Sequence, residues 1–229
     1  MGVTHKIGSA AGYLLNLIVK LLIGANVHPN LLTVIGLGIN AVAAWLFARG
    51  EFFSAGVVVL LGAVFDLIDG PVARQSNQVT RFGGFLDSVL DRYSDLILLM
   101  GLLVYYASIN RFFYIILTAV VMTGSVLTSY ARARAENCIP SCKVGFLERP
   151  ERIVLIIIGA LFNHMAPVLW VIAVLSNITV VHRIAHTWTE TRQLDEADKA
   201  ARAKAVKSGV SNETRPGANP EELRHGSVV

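Results

Sequence analysis

Apolar and polar positions divide this chain into long apolar runs that are joined by short polar segments. Each run is close to the ~20 residues that a helix needs to cross the hydrocarbon core of a bilayer. The runs are continuous instead of alternating, which favours helices over the strands of a membrane barrel. The pattern predicts six membrane-spanning helices, at residues 30–48, 53–73, 82–106, 111–134, 147–163 and 166–187.

The segments on either side of these spans have different patterns. Residues 6–23 carry Lys6 and Lys20 at the two ends of an apolar stripe, which predicts an amphipathic helix that lies in the membrane interface. The chain after residue 188 is polar, and although its first part is compatible with a short helix, we expect this tail to be disordered. The predicted organisation is an all-α integral membrane protein with a juxtamembrane helix in 1–28, a six-helix domain in 29–188 and a polar tail in 189–229.

The composition agrees with a membrane protein. Hydrophobic residues make up 54% of the chain and charged residues 16%, whereas soluble domains have about 45–50% and about 25%. A soluble domain with this composition could not cover its apolar surface, so that class is excluded. The net charge of +4 is modest, and we expect membrane lipid as a partner but no nucleic acid.

Lysine and arginine residues are unevenly distributed between the two sets of span ends. The loops on one side carry only Arg49 and Arg111. By the positive-inside rule, the side that is rich in these residues faces the cytoplasm, and so do both termini. The predicted location is the cell (inner) membrane. The residues on the rich side are Lys6, Lys20, Arg74, Arg81, Arg132, Arg134, Lys143, Arg149, Arg152, Arg183 and Arg192.

Four aspartates lie close to the cytoplasmic ends of the second and third predicted spans. Asp66 and Asp69 are three residues apart, and Asp87 and Asp91 are four apart, so each pair lies on one face of a helix. The loop between the spans is short, so the two pairs are expected to face each other. An aspartate at the centre of a bilayer costs about 2.5–3.5 kcal/mol. Two divalent cations would neutralise the four charges, and oxygen ligands favour Mg²⁺ or Mn²⁺.

Three alternative roles for the four aspartates fit their positions less well. They could form salt bridges with Arg74, Arg81 and Arg92, in a purely structural role. A divalent-cation transporter would distribute its acids over repeat-related broken helices near the bilayer midplane, whereas here they occupy two adjacent spans near one face. A catalytically dead scaffold would have no need of all four acids. Asp95 continues the same helical series, but we leave it outside the metal site as a supporting or helix-end group.

Small and basic residues between the acids suit a phosphate-containing ligand. Gly70 and Gly83 allow phosphates to approach the backbone closely. Arg74 lies one turn beyond Gly70 and can pair with a phosphate oxygen. Two metal ions beside an arginine would bind a pyrophosphate and stabilise its leaving group, while a free carboxylate takes the proton from the nucleophile.

The spacing of these residues resembles the signature of the CDP-alcohol phosphotransferase family, and it reads Asp66-x2-Asp69-Gly70-x2-Ala73-Arg74-x8-Gly83-x3-Asp87-x3-Asp91. The resemblance implies an enzyme that transfers a phosphoalcohol from a CDP-linked donor, CDP-diacylglycerol, to an acceptor hydroxyl and releases CMP. It also implies a homodimer. The implied roles are metal binding by Asp66, Asp69, Asp87 and Asp91, with Asp91 also the catalytic base, and CDP binding by Gly70, Ala73, Arg74 and Gly83.

Polar residues at the ends of the last three spans indicate the acceptor. Ser129 and Arg132, Arg152, and Arg183 all lie on the side of the aspartates, and converging arginines favour an anion such as an acceptor phosphate. Alternatively, they are ordinary positive-inside residues or bind lipid headgroups.

Three short stretches, "FGGFLDSVLDRYSD", "SYARARAE" and "ERPER", resemble the inositol-phosphate-accepting branch of the family. In that branch the counterparts of Ser129, Arg132, Arg152 and Arg183 bind the acceptor phosphate. The resemblance therefore favours inositol 1-phosphate as the acceptor. Glycerol 3-phosphate and serine remain as alternatives, corresponding to a phosphatidylglycerophosphate synthase and a phosphatidylserine synthase.

Overall fold

The computed structural model of the protein describes residues 19–21, 24 and 28–207. Most of the amphipathic helix predicted at 6–23, and the end of the predicted tail from 208 to 229, lie outside these residues. Helices and connecting segments make up the whole of the described part, which contains no strand. From residue 28 onward the helices are α1 (Pro29–Ala48), α2 (Phe52–Gln75), α3 (Arg81–Ser108), α4 (Phe112–Ala135), α5 (Arg149–Leu161) and α6 (Met165–Lys207). The expectation of a disordered tail is therefore wrong for residues 189–207, which continue the last of these helices.

Local sequence signals explain several helix boundaries. Pro29 occupies the first turn of α1, where its missing N–H removes no hydrogen bond. The hydroxyl of Thr80 accepts a 2.9 Å hydrogen bond from the backbone N–H of Gly83 and caps the start of α3. The turns after α2, α3 and α5 each contain an asparagine with positive φ, a conformation that asparagine tolerates better than most residues. These are Asn77, Asn110 and Asn163.

The helices confirm part of the predicted membrane topology. Within the described residues, α1, α2, α4 and α6 are long and apolar enough to cross a membrane, which agrees with a multi-pass membrane protein. The first half of α3 contains four charged residues, and α5 has only 13 residues, or about 20 Å at 1.5 Å per residue. The four-helix result therefore supports the all-α prediction but not its count of six spans.

The helices pack through small residues and a shared apolar core. Phe47, Leu98 and Ile172 are completely buried in that core, on α1, α3 and α6. At Gly101 of α3, a side chain would collide with the backbone carbonyl of Ala44 on α1. This close approach holds α3 against α1, and α2 also packs against α1. The ends of α2 and α3 that carry the aspartates are thereby brought next to each other.

Candidate active site

The four predicted acids lie together between α2 and α3. Asp87 is close enough to Asp66 and Asp69 for their negative charges to repel, and Asp91 also experiences the charges of Asp66 and Asp87. Thr33 on α1 donates a 3.2 Å hydrogen bond to Oδ2 of Asp69. The i, i+3 and i, i+4 spacings thus bring the two pairs into one cluster, which we call the acid cluster.

An arginine from α5, which the sequence did not indicate as a partner, enters the acid cluster. Nη2 of Arg149 lies 2.7 Å from Oδ2 of Asp66, Nη1 lies 2.9 Å from Oδ1 of Asp91, and Nε lies 3.3 Å from Oδ1 of Asp95. Arg92 makes a longer contact of 3.6 Å with Asp91. Arg74 and Arg81, the other partners considered from sequence, form no salt bridge among the described residues. The principal counter-charge of the cluster therefore comes from a helix more than 50 residues further along the chain.

The chemistry of the acid cluster fits hard divalent cations. Its candidate metal ligands are the oxygen atoms of four carboxylates, with the hydroxyl of Thr33 beside them. Oxygen ligands of this kind suit Mg²⁺ or Mn²⁺. Asp69 and Asp87 form no salt bridge within the described chain and both line a cavity. In this side-chain arrangement, no three acidic, histidine or cysteine residues of the described part surround a common metal position. To bind an ion, Asp66 and Asp91 would have to break their salt bridges with Arg149.

The cavity beside Asp69 and Asp87 has a volume of about 270 Å³ and lies among α1, α2, α3 and the connection before α3. A side chain at Gly83 would come within 3.0 Å of Thr80 Oγ1 and 3.2 Å of Asn30 Oδ1, so glycine keeps this wall open. All four residues that the resemblance assigned to CDP line the cavity. They are Gly70, Ala73, Arg74 and Gly83.

Two of the predicted acceptor residues meet through a glutamate that the sequence did not indicate. Oε1 of Glu148 accepts from Nη1 of Arg132 at 3.3 Å and from Nη2 of Arg183 at 3.0 Å. Arg183 also donates to the backbone carbonyls of Thr128 and Val144, at 2.6 and 2.8 Å. The second partner of Arg132 is Glu136, just beyond α4, and this hydrogen bond at 3.0 Å lowers the pKa of Glu136 below its usual value.

The other two predicted acceptor residues have different surroundings. The side chain of Arg152 is only 1% exposed and forms a salt bridge with Asp95, which is also buried. Its Nε and Nη1 atoms are buried without a hydrogen-bond partner among the described residues. Ser129 is half-buried on α4, one turn before Arg132. Asp95 thus contacts both Arg149 and Arg152, in keeping with its predicted supporting role.

The connection before α5 is fixed to α6. We call residues 144–148 the docked segment. The hydroxyl of Thr179 accepts hydrogen bonds from the backbone N–H groups of Phe146 and Leu147, at 3.1 and 3.2 Å. Gly145 has φ of +134°, which favours glycine, and a side chain there would collide with Thr179. The docked segment places Glu148 beside Arg132 and Arg183. The next residue, Arg149, then lies beside Asp66 and Asp91. In the sequence, the only sign that this segment carries paired charges is the charged run "LERPER" at the start of an apolar helix.

Comparison with known proteins identifies the family of this chain. The family model described as CDP-alcohol phosphatidyltransferase matches residues 26–188. The chain belongs to the CDP-alcohol phosphatidyltransferase family, and it is a membrane transferase of that enzyme class. The resemblance found from the aspartate spacing is therefore confirmed.

Individual relatives are similar over most of the chain. An archaetidylinositol phosphate synthase from Pyrococcus horikoshii is 37% identical over 166 residues, which cover 72% of this chain and 86% of the relative. The crystal structure of Mycobacterium tuberculosis phosphatidylinositol phosphate synthase with CDP-DAG bound has a TM-score of 0.72 and 31% identity, covering 77% of this chain and 94% of that one. The same enzyme in complex with manganese and citrate gives a TM-score of 0.71 and 33% identity, covering 76% and 89%.

Proposed function

We propose that this protein transfers a phosphatidyl group from CDP-diacylglycerol to a hydroxyl of inositol 1-phosphate and releases CMP, as a step of phospholipid biosynthesis. The observation that carries this proposal is the cavity that Asp69, Arg74 and Asp87 line together. Acids that bind divalent cations, together with an arginine, suit a pyrophosphate. The relative with CDP-DAG bound supports the donor, and the names of the relatives support an inositol phosphate acceptor.

In this proposal the CDP part of the donor binds in the cavity. Gly70 and Gly83 leave room for the nucleotide to approach the backbone, and Ala73 adds a small wall between them. Arg74 has no acidic partner among the described residues, so its guanidinium is available to a phosphate oxygen.

We assign two divalent cations, Mg²⁺ or Mn²⁺, to Asp66, Asp69, Asp87 and Asp91. When bound, such ions neutralise the diphosphate and stabilise the departing CMP. The related structure with manganese supports the use of a divalent metal. Asp66 and Asp91 reach that state by releasing Arg149, which is then free to pair with another anion.

Asp91 is the proposed catalytic base. The acceptor hydroxyl loses its proton to the carboxylate of Asp91, and its oxygen forms a bond to the phosphorus that carries the diacylglycerol. The bond from that phosphorus to the bridging oxygen breaks, and the oxygen leaves as part of CMP. Asp91 is suited to this role because it lies on the same face of α3 as Asp87, one turn further from the cavity.

Ser129, Arg132, Arg152 and Arg183 are the proposed ligands of the acceptor phosphate. The contacts of Arg132 and Arg183 with one carboxylate oxygen of Glu148 support an anion site between α4 and α6. The nitrogens of Arg152 that are buried without a hydrogen-bond partner in the described part of the chain provide further donors. Glycerol 3-phosphate presents the same anionic group and is the second candidate acceptor. Serine lacks that group and is disfavoured.

We extend the proposal to the arrangement in the membrane. α3 and α5 join the four apolar helices to give six spans, residues 1–28 supply an interfacial helix, and residues 189–229, whose first part continues α6 to Lys207, form a polar tail. The excess of Lys and Arg near the active site favours a cytoplasmic active site and cytoplasmic termini in the cell (inner) membrane. A homodimer is the proposed assembly.

The test is an acceptor panel with purified protein in lipid nanodiscs. CDP-diacylglycerol and Mg²⁺ are supplied with inositol 1-phosphate, glycerol 3-phosphate, inositol or serine, and both CMP and the lipid product are measured. Turnover with inositol 1-phosphate should exceed that with the others, and Asp91→Asn should remove it. Asp195→Asn, an exposed change on α6, is the matched control. A preference for inositol or serine would overturn the phosphate-acceptor assignment.

A further inference from the structure

Glu148 occupies an unusual position for an acid, because it lies between two arginines proposed to bind an anion. A single oxygen, Oε1, contacts both Arg132 and Arg183. These arginines belong to different helices, α4 and α6. One oxygen between two guanidinium groups is also how an oxygen of a bound phosphate would be held. The carboxylate and an acceptor phosphate therefore compete for the same donors.

The two arginines have other contacts that would keep them in place after Glu148 leaves. Arg183 is 2% exposed and remains bonded to the carbonyls of Thr128 and Val144. Arg132 remains bonded to Glu136. The side chain of Glu148, by contrast, is 41% exposed and can turn towards water.

From these contacts we infer that Glu148 is a specificity-determining residue, whose carboxylate holds the acceptor-anion site until a stronger anion displaces it. The inference rests on the proposed function of Arg132 and Arg183. A dianionic phosphate pairs with two arginines more strongly than one carboxylate does, and so it displaces Glu148. A carboxylate monoanion, such as that of an amino acid, gains no such advantage. The selection of phosphorylated acceptors then arises from competition as well as from the arginines themselves.

The experiment measures binding of inorganic phosphate and of acetate to the full-length protein in nanodiscs by isothermal titration calorimetry. Saturating Mg²⁺ and CMP keep phosphate away from the nucleotide cavity. In Glu148→Gln, which keeps the size of the side chain, we expect phosphate to bind about tenfold more tightly, because the competing charge is gone. Acetate, which the wild type discriminates against, should become a measurable ligand. The KM for the phosphorylated acceptor should fall as the affinity for phosphate rises.

Two variants serve as matched controls. Glu136→Gln removes the same charge beside Arg132 but does not touch Arg183, so it should change phosphate affinity by less than about twofold. Glu151→Gln alters the residue whose side chain accepts from the backbone N–H of Glu148 at the start of α5, and it reports on any disturbance of that helix end. Unchanged or weaker phosphate binding in Glu148→Gln overturns the inference.

A further variant separates this inference from the proposed function. Arg132→Gln should weaken phosphate binding. If it does, while Glu148→Gln fails to strengthen it, the anion site is correct and the role of Glu148 is wrong. If Arg132→Gln leaves phosphate affinity unchanged, the acceptor site itself is wrong, and the role of Glu148 is overturned with it.

Discussion

Nη2 of Arg149 lies 2.7 Å from Oδ2 of Asp66, although 83 residues separate them in the chain. The same guanidinium contacts Asp91 and Asp95. The protein therefore carries a cation of its own within a cluster of acids that is proposed to bind metal ions. This pairing means that the four acids contribute differently to stability, which leads to the first two predictions.

Replacing Arg149 by glutamine should destabilise the metal-free protein and strengthen metal binding. Breaking a buried ion pair costs about 3–5 kcal/mol, and because Arg149 is 20% exposed we expect about 2 kcal/mol. Thermal unfolding in chelator measures the loss, and Mn²⁺ titration followed by electron paramagnetic resonance measures the affinity. A variant with unchanged melting and unchanged Mn²⁺ affinity would show that the guanidinium does not compete with the ions.

Neutralising the acids singly should affect metal-free stability with opposite signs. Asp66→Asn loses the bond with Arg149 and should lower the melting temperature in chelator. Asp69→Asn and Asp87→Asn remove charges that have no salt bridge within the described chain but repel their neighbours, so melting should stay the same or rise. All three should lose more than about 100-fold in Mg²⁺-dependent turnover. Equal destabilisation by all three would contradict the pairing.

Arg74 should bind the donor and not the acceptor. Changing it to glutamine removes a charge-assisted bond to phosphate, and the KM for CDP-diacylglycerol should rise about tenfold while the KM for the acceptor is maintained. Initial rates at varied donor and acceptor concentrations check this. Arg81→Gln is the matched control, since Arg81 is exposed at the start of α3 and does not line the cavity. The assignment fails if both arginine variants behave alike.

Two glycines should respond in opposite ways to an added methyl group. Gly101→Ala pushes α3 away from the carbonyl of Ala44 and should destabilise the protein by about 1–3 kcal/mol. Gly38→Ala meets open space on α1, so it should stabilise by about 0.5–1 kcal/mol, because alanine is the better helix former. Melting temperatures in one detergent give the comparison. The proposed close packing of α1 on α3 is refuted if Gly101→Ala melts like the wild type.

The sequence predicted the parts of the site that depend on local spacing. The intervals Asp66 to Asp69 and Asp87 to Asp91 fix each pair on one helix face, and the short connection between α2 and α3 keeps the two pairs close, while both helices pack against α1. The cavity residues Gly70 and Arg74 are predictable for the same reason, since they belong to the same helix as the first pair of acids.

Contacts between distant helices were not predictable in this way. Nothing in the neighbourhood of Arg149 reveals that it reaches Asp66, because that contact depends on how α5 packs against α2. The bridge from Arg132 through Glu148 to Arg183 likewise requires the packing of α4 against α6 and the docked segment. The helix boundaries were also not fixed by the apolar pattern, because the run at 147–163 predicted a helix of span length, whereas α5 has 13 residues.

The attachment of the docked segment to α6 has a consequence for biosynthesis. Thr179 and Arg183, which hold residues 144–148, belong to α6, which follows α1 to α5 in the chain and is therefore synthesised after them. A nascent chain that ends before α6 contains all the residues that line the proposed nucleotide cavity, but it cannot yet fix Glu148 or supply Arg183. The proposed acceptor site is thus completed only after α6 has been made, so a polypeptide that ends before α6 would lack the proposed acceptor ligand Arg183.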